Sequence, residues 1–146
     1  MAGELVVGYD GSECARHALG SAGRLAARLG VGVVTVFAAE PPAALAGGSG
    51  EQRRVLEERG EELMTEAGEL LGALDVPCVP RVVDDKPIHA LLAVADEFDA
   101  LCIVVGTYSE RPISAALVGS TPHKLLHLSE RPVMVVPVPD RPESTS

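Results

Sequence analysis

The sequence predicts a doubly wound α/β domain: a five-stranded parallel sheet in the order 3-2-1-4-5, with four helices on its two faces. Three observations carry this reading. Short apolar runs of Val, Ile and Leu recur as continuous stretches, which marks strands buried on both faces. Between them lie segments with apolar residues at helical spacing. The two kinds alternate along 146 residues, about one domain's worth and enough for a real core.

Leu5-Val6-Val7-Gly8 is the first run, broken by Asp10-Gly11-Ser12, with Ser12 placed to cap a helix. Ala15, Ala18, Leu19, Ala22, Leu25, Ala26 and Leu29 then keep helical spacing, and Gly30 ends it. Val31 to Ala38 is a second strand, rich in β-branched residues. Ala39 to Gly50, with Pro41, Pro42, Gly47 and Gly48, is a loop long enough to act as a flap. A long second helix is carried by Val55, Leu56, Leu63, Met64, Ala67, Leu70, Leu71 and Leu74. Its other face, from Glu57 to Glu69, is acidic and expected to be solvated.

Val76 to Val83 is the third strand, and Pro77 and Pro80 mark it as an edge. Pro87 starts a third helix, whose inner face is Ile88, Leu91, Leu92, Ala95 and Phe98. Leu101 to Val105 is strand four, Ser120 to Ser129 helix four and Pro132 to Val138 strand five. The domain is expected over residues 1–138, and the polar, Pro-containing tail 139–146 is expected to be disordered. With the third strand at an edge, the order 3-2-1-4-5 follows. Ligands of such sheets bind beyond the carboxyl ends of the strands, where the order reverses. Here that is between strands one and four, which brings Gly8-Tyr9-Asp10 next to Gly106-Thr107-Tyr108.

Bulk composition narrows the class. A hydrophobic share of 47 % excludes a disordered chain. A net charge of −9 argues against a nucleic-acid partner, which favours a basic face. No apolar run approaches the ~20 residues of a membrane span. No cationic region precedes the first apolar run, so no signal peptide is expected. Cys14, Cys78 and Cys102 form no C-x-x-C pair, and an odd, scattered set suits a reducing cytoplasm.

The stretch from Val104 to Thr121, V-V-G-T-Y-S-E-R-P-I-S-A-A-L-V-G-S-T, carries the most chemistry. A strand ends at Gly106, a loop follows, and Gly119-Ser120-Thr121 opens a helix. Backbone amides at such places can face a phosphate.

The opening V-V-G-Y-D-G-S, the long loop after strand two and the closing G-S-T-P-H-K-L-L-H-L-S-E-R-P-V-M-V-V-P resemble the universal stress protein family, from Glu4 to Pro137. That family's nucleotide-binding branch carries G-x2-G-x9-G-(S/T). Gly106 fills the first place, Ser109 stands where the second glycine belongs, and Gly119-Ser120 fills the last two. The resemblance implies ATP, with or without Mg, or AMP or ADP, bound in the crevice. It implies a homodimer through strand 132–137, whose apolar edge would invite pairing if left bare.

The resemblance places Asp10 near the ribose or phosphate end of the ligand; the alternative is a turn aspartate with a local hydrogen bond. Gly8 and Tyr9 would contribute backbone at the adenine end, although Gly8 reads equally as a packing glycine. Phe37 and Ala38 match positions flanking adenine, or are ordinary core. Gly106, Gly119, Ser120 and Thr121 are the phosphate candidates, with Thr121 as helix cap and Pro122 at the first helical position. At Ser109, a glycine needed for positive φ would make serine cost roughly 1–2 kcal/mol, whereas a glycine needed for room beside the phosphate would let serine offer a hydroxyl donor instead.

His123 and His127 sit four apart, a two-histidine metal spacing, but no third ligand accompanies them and no metal is expected. Cys14 at a helix start reads as a buried, inert cysteine before a reactive one. Neither a Gly-x-Ser-x-Gly elbow nor a Walker motif is present. The leading reading is therefore a cytoplasmic, nucleotide-dependent stress-response regulator that is not an enzyme. The alternative is a nucleotide-free dimeric scaffold of the same fold, and an ATP-using enzyme ranks third.

Overall fold

The computed structural model describes residues 3–40, 50–107 and 120–139. β1 (Leu5–Gly8) leads through α1 (Glu13–Leu29) to β2 (Val33–Ala38), and α2 (Gly50–Gly72) leads to β3 (Cys78–Val83). Then come α3 (Pro87–Glu97), β4 (Cys102–Gly106), α4 (Ser120–Leu128) and β5 (Val133–Val136). All ladders are parallel, in the order β3-β2-β1-β4-β5. The expected fold class and strand order are those observed.

Side chains alternate across the sheet with a period of two, and both faces are covered. Leu5, Val7, Val33 and Val104 point to one face, against Ala15, Ala18, Leu19, Ala22 and Ala26 of α1 and Leu63, Met64, Ala67 and Leu71 of α2. Val6, Val34, Val36, Ile103 and Val105 point to the other, against Ala90, Leu91, Val94 and Ala95 of α3 and Leu125 of α4. The alanine stripe of α1 is what lets that helix lie low on the sheet.

Capping sets the ends of α1. The Ser12 hydroxyl accepts from the Ala15 amide at 3.1 Å, and Gly30 closes the helix in the left-handed conformation. The Val31 amide also returns to the Ala26 carbonyl, at 3.0 Å. Val31 therefore belongs to the helix cap, and β2 starts at Val33 rather than at the expected Val31. β3 is likewise shorter than expected: it begins at Cys78, and the Pro77 carbonyl accepts from Val33. Its place at the sheet edge is as expected.

Two expectations for α2 need correction. Val55, Leu70 and Leu74 are 59 %, 43 % and 37 % exposed, and the buried seam is Gly60, Leu63, Met64, Ala67 and Leu71. The acidic face is not wholly solvated either, because Glu66 is half-buried and hydrogen-bonded to Tyr9. α3 starts at Pro87 as expected, but its buried face adds Ala90 and Val94, while Ile88, Leu92 and Phe98 are partly buried at its margin.

β5 spans Val133–Val136 rather than Pro132 to Val138. Arg131 fixes its start: the guanidinium donates to Asp96, to Asp99 and to the Ala100 carbonyl at 2.9–3.2 Å, tying β5 to the end of α3. No helix among the described residues is long and apolar enough to cross a membrane. The 41–49 part of the expected flap and the 140–146 part of the expected tail lie outside the described residues.

Candidate functional site

The chain runs outward from β1 through β2 to β3, then returns to the other side of β1 for β4 and β5. The crevice of the fold thus lies beyond the carboxyl ends of β1 and β4. Their register pairs Val7 with Val104, and continuing it sets Tyr9 beside Gly106. On the other side Gly8 pairs with Val36, which sets Asp10 beside Ala38. Four of the sequence-predicted residues are therefore brought to one rim of the sheet.

The turn after β1 is built locally. Asp10 Oδ1 accepts from the Ser12 amide at 2.9 Å, the local hydrogen bond of a turn aspartate. Gly11 has φ +82° and its missing Cβ would lie 2.7 Å from Leu63 Cδ2 of α2, so a side chain there would be strained and would displace Leu63. The Tyr9 amide donates to the Val36 carbonyl at 2.9 Å, which extends the ladder one step past β1. That amide is thereby occupied. Tyr9's ring is buried among the α1 and α2 side chains.

Gly106 has a packing reason that the sequence did not reveal. A Cβ on it would lie 2.8 Å from both Cys14 Cβ and the Cys14 carbonyl oxygen. The first turn of α1 rests directly on the end of β4. Cys14 is buried beneath it, with Sγ 3.8 Å from Thr107 Oγ1. Gly8 differs: a Cβ there would meet Leu91 at 3.5 Å and Val105 at 3.7 Å, which is ordinary contact. Packing among the described residues does not require Gly8 to be a glycine.

Phe37 and Ala38 pair with Val82 and Val83 of β3. Phe37 packs on α2 where Gly60 leaves room, its Cδ2 2.9 Å from the position of a Gly60 Cβ. The Ala39 amide donates to Val83 at 2.7 Å. Strand alternation then turns the Ala38 peptide the other way, past the end of β1. Ser120 and Thr121 both lie inside the first turn of α4, so Thr121 is not its cap and Pro122 is its third residue. As the crossover from β4 to β5, α4 starts at the carboxyl end of the sheet. Ser109 and Gly119 lie outside the described residues, as do Tyr108, Glu110 and Arg111.

Sequence reasoning missed a polar clamp under the β1 turn. The Tyr9 hydroxyl donates to Glu66 Oε1 at 2.6 Å, and Arg16 donates to Glu66 Oε2 at 3.3 Å. Burial first, then the Glu66 hydrogen bond and charge, push the Tyr9 phenol from 10.0 up to about 12. The same hydrogen bond holds the Glu66 carboxyl below its ordinary value. Sequence reading also missed a pocket of about 230 Å³ between α2 and the ends of β2 and β3, lined by Ala39, Arg53, Glu57, Glu61, Val82 and Asp84. Arg53 and Asp84 pair across its mouth at 2.7 Å.

His123 and His127 pack edge to face, 5.0 Å between centroids. No group of three or more metal-ligating side chains is found among the described residues.

A doubly wound α/β domain with a glycine turn and two helix starts around its β1/β4 crevice is thus the class defined. Within that class the chain belongs to the universal stress protein family, whose sequence profile matches residues 1–137. A universal stress protein crystallised in complex with cAMP is 26 % identical, at a TM-score of 0.72 over 92 % of this chain and 97 % of its own. One from Archaeoglobus fulgidus is 22 % identical, at a TM-score of 0.77 over 93 % and 99 %. A family protein from Arabidopsis thaliana with AMP bound is 13 % identical, at a TM-score of 0.68 over 94 % and 92 %. The last two show likeness of fold alone. No match is found among curated proteins.

The two glycines make opposite predictions. Gly106→Ala forces backbone atoms of α1 away and is expected to cost about 1–3 kcal/mol. Gly8→Ala is expected to stay within about 1 kcal/mol of wild type. Urea unfolding midpoints check both. A pH dependence follows from Tyr9. Its raised value means that the fold favours the neutral phenol, so this stabilisation is complete below about pH 10 and is lost as pH rises through about 12. The stability advantage of wild type over Tyr9→Phe should therefore shrink over that interval in denaturant titrations, and level off above it.

Proposed function

We propose that this chain is a regulator that binds an adenine nucleotide, ATP with or without Mg, or AMP or ADP, beyond β1 and β4. The observation that carries the reading is convergence. The β1 turn with Asp10, the outward Ala38 peptide, the Gly106 end of β4 and the starts of α1 and α4 all belong to one end of the sheet. Such helix starts favour anions, with about half a positive charge each.

In this reading Gly8 leaves the adenine end open, Phe37 and Ala38 flank the base, and the Asp10 carboxylate takes the ribose side. Gly106, Ser109, Gly119, Ser120 and Thr121 surround the phosphates. The complexes with cAMP and AMP, and an Archaeoglobus fulgidus complex with dAMP, support an adenine ligand. Binding without turnover is proposed, in the cytoplasm and in stress response. A homodimer through strand 132–137 belongs to the same reading, since β5 ends the sheet.

One observation favours a second reading, a nucleotide-free dimeric scaffold: Asp10 already accepts from Ser12 within its own turn. A thermal-shift titration separates the two. Ligand at 100-fold over Kd adds ~2.7 kcal/mol. At ~2–4 °C per kcal/mol, the melt should rise by roughly 5–10 °C with ATP, ADP or AMP. No shift at millimolar nucleotide would sink the first reading. Light scattering should return twice the mass of one chain, and a monomer would count against the pairing.

A further inference from the structure

We infer that Tyr9 and Glu66 are positioning residues for the crevice: helix α2, which packs on the same face of the sheet as α1, holds the Asp10 turn at its working height. This rests on the nucleotide reading above. Tyr9 lies between Gly8 and Asp10, and the residue is 2 % exposed. Burial alone would be met by phenylalanine. The hydroxyl instead reaches Glu66 Oε1 at 2.6 Å, a hydrogen bond to a carboxylate, of the stronger kind.

A second contact comes from the same helix, one turn earlier. Leu63 Cδ2 fills the space beside Gly11, 2.7 Å from the position of a Cβ. Leu63 and Glu66 are three apart and so share a face of α2. The turn is therefore gripped at Tyr9 and at Gly11, on either side of Asp10, by one helix. Arg16 steadies the carboxylate from α1 at 3.3 Å. That pair is exposed, 52 % and 40 %, and contributes little by itself. Its role is to aim Glu66 at the phenol.

The consequence is that α2 takes part in ligand affinity without touching ligand. With the hydroxyl gone, the turn samples other heights, and apparent affinity falls by the fraction of time that it is misplaced. The test uses the full chain at a temperature where each variant is folded, with ATP as probe. Tyr9→Phe and Glu66→Leu should each raise the calorimetric Kd about 3–10-fold. Each should also speed amide exchange at Asp10, Gly11 and Ser12 in the free protein, relative to β4.

Glu66→Gln keeps an oxygen for the phenol and should restore both readouts, which a merely lost charge would not. An unchanged Kd in Tyr9→Phe, or unchanged exchange at the turn, overturns the inference. If wild type itself binds no ATP, the nucleotide reading fails separately. The grip of α2 on the turn then stands or falls on the exchange rates.

Discussion

The contact on which the rest of the crevice depends is that between the first turn of α1 and the end of β4. Gly106 has no room for a Cβ because Cys14 already occupies the space. Ala15, Ala18, Ala22 and Ala26 continue the same close approach along the sheet. With α1 set this low, the chain leaving β1 must reverse within Tyr9–Ser12 to enter the helix. That reversal demands the positive φ of Gly11 and the Asp10–Ser12 hydrogen bond. One packing distance thus fixes the glycine at the end of β4, the turn after β1 and the direction in which α1 points its amino end.

α2 supplies the second constraint, and it acts on the turn rather than on the sheet. Polar contacts at this clamp differ in strength. The Arg16–Glu66 pair is open to water and screened. The phenol–carboxylate bond is shorter, and its donor is buried. A buried hydroxyl costs free energy unless it is hydrogen-bonded, so Tyr9 holds Glu66 as firmly as Glu66 holds Tyr9. The half-buried position of one carboxylate in an otherwise solvated acidic helix follows from that demand.

The fold was legible because period-two and helical patterns were cleanly separated by Gly and Pro, so five strands and four helices could be counted and ordered. Boundaries were less so. Val31 looks like strand by composition, but its amide is taken by the cap of α1, and hydropathy does not encode that. Val55, Leu70 and Leu74 share the helical spacing of the buried seam, yet the core reaches only as far as Leu63, Met64, Ala67 and Leu71. Glu66 was hidden inside an acidic run whose other members face water. Only its three-residue offset from Leu63 distinguishes it, and that becomes meaningful once Tyr9 is known to point inward.

Gly106 shows why a motif glycine is weak evidence when taken alone. Read along the chain, it belongs to a phosphate loop; in three dimensions, helix packing is sufficient to require it. The same contact would persist in a relative of this fold that held no ligand. Gly8 carries more weight for the opposite reason. Neither a clash nor a positive φ obliges position 8 to lack a side chain. Features left without a structural role by the packing are the ones on which a ligand reading properly rests.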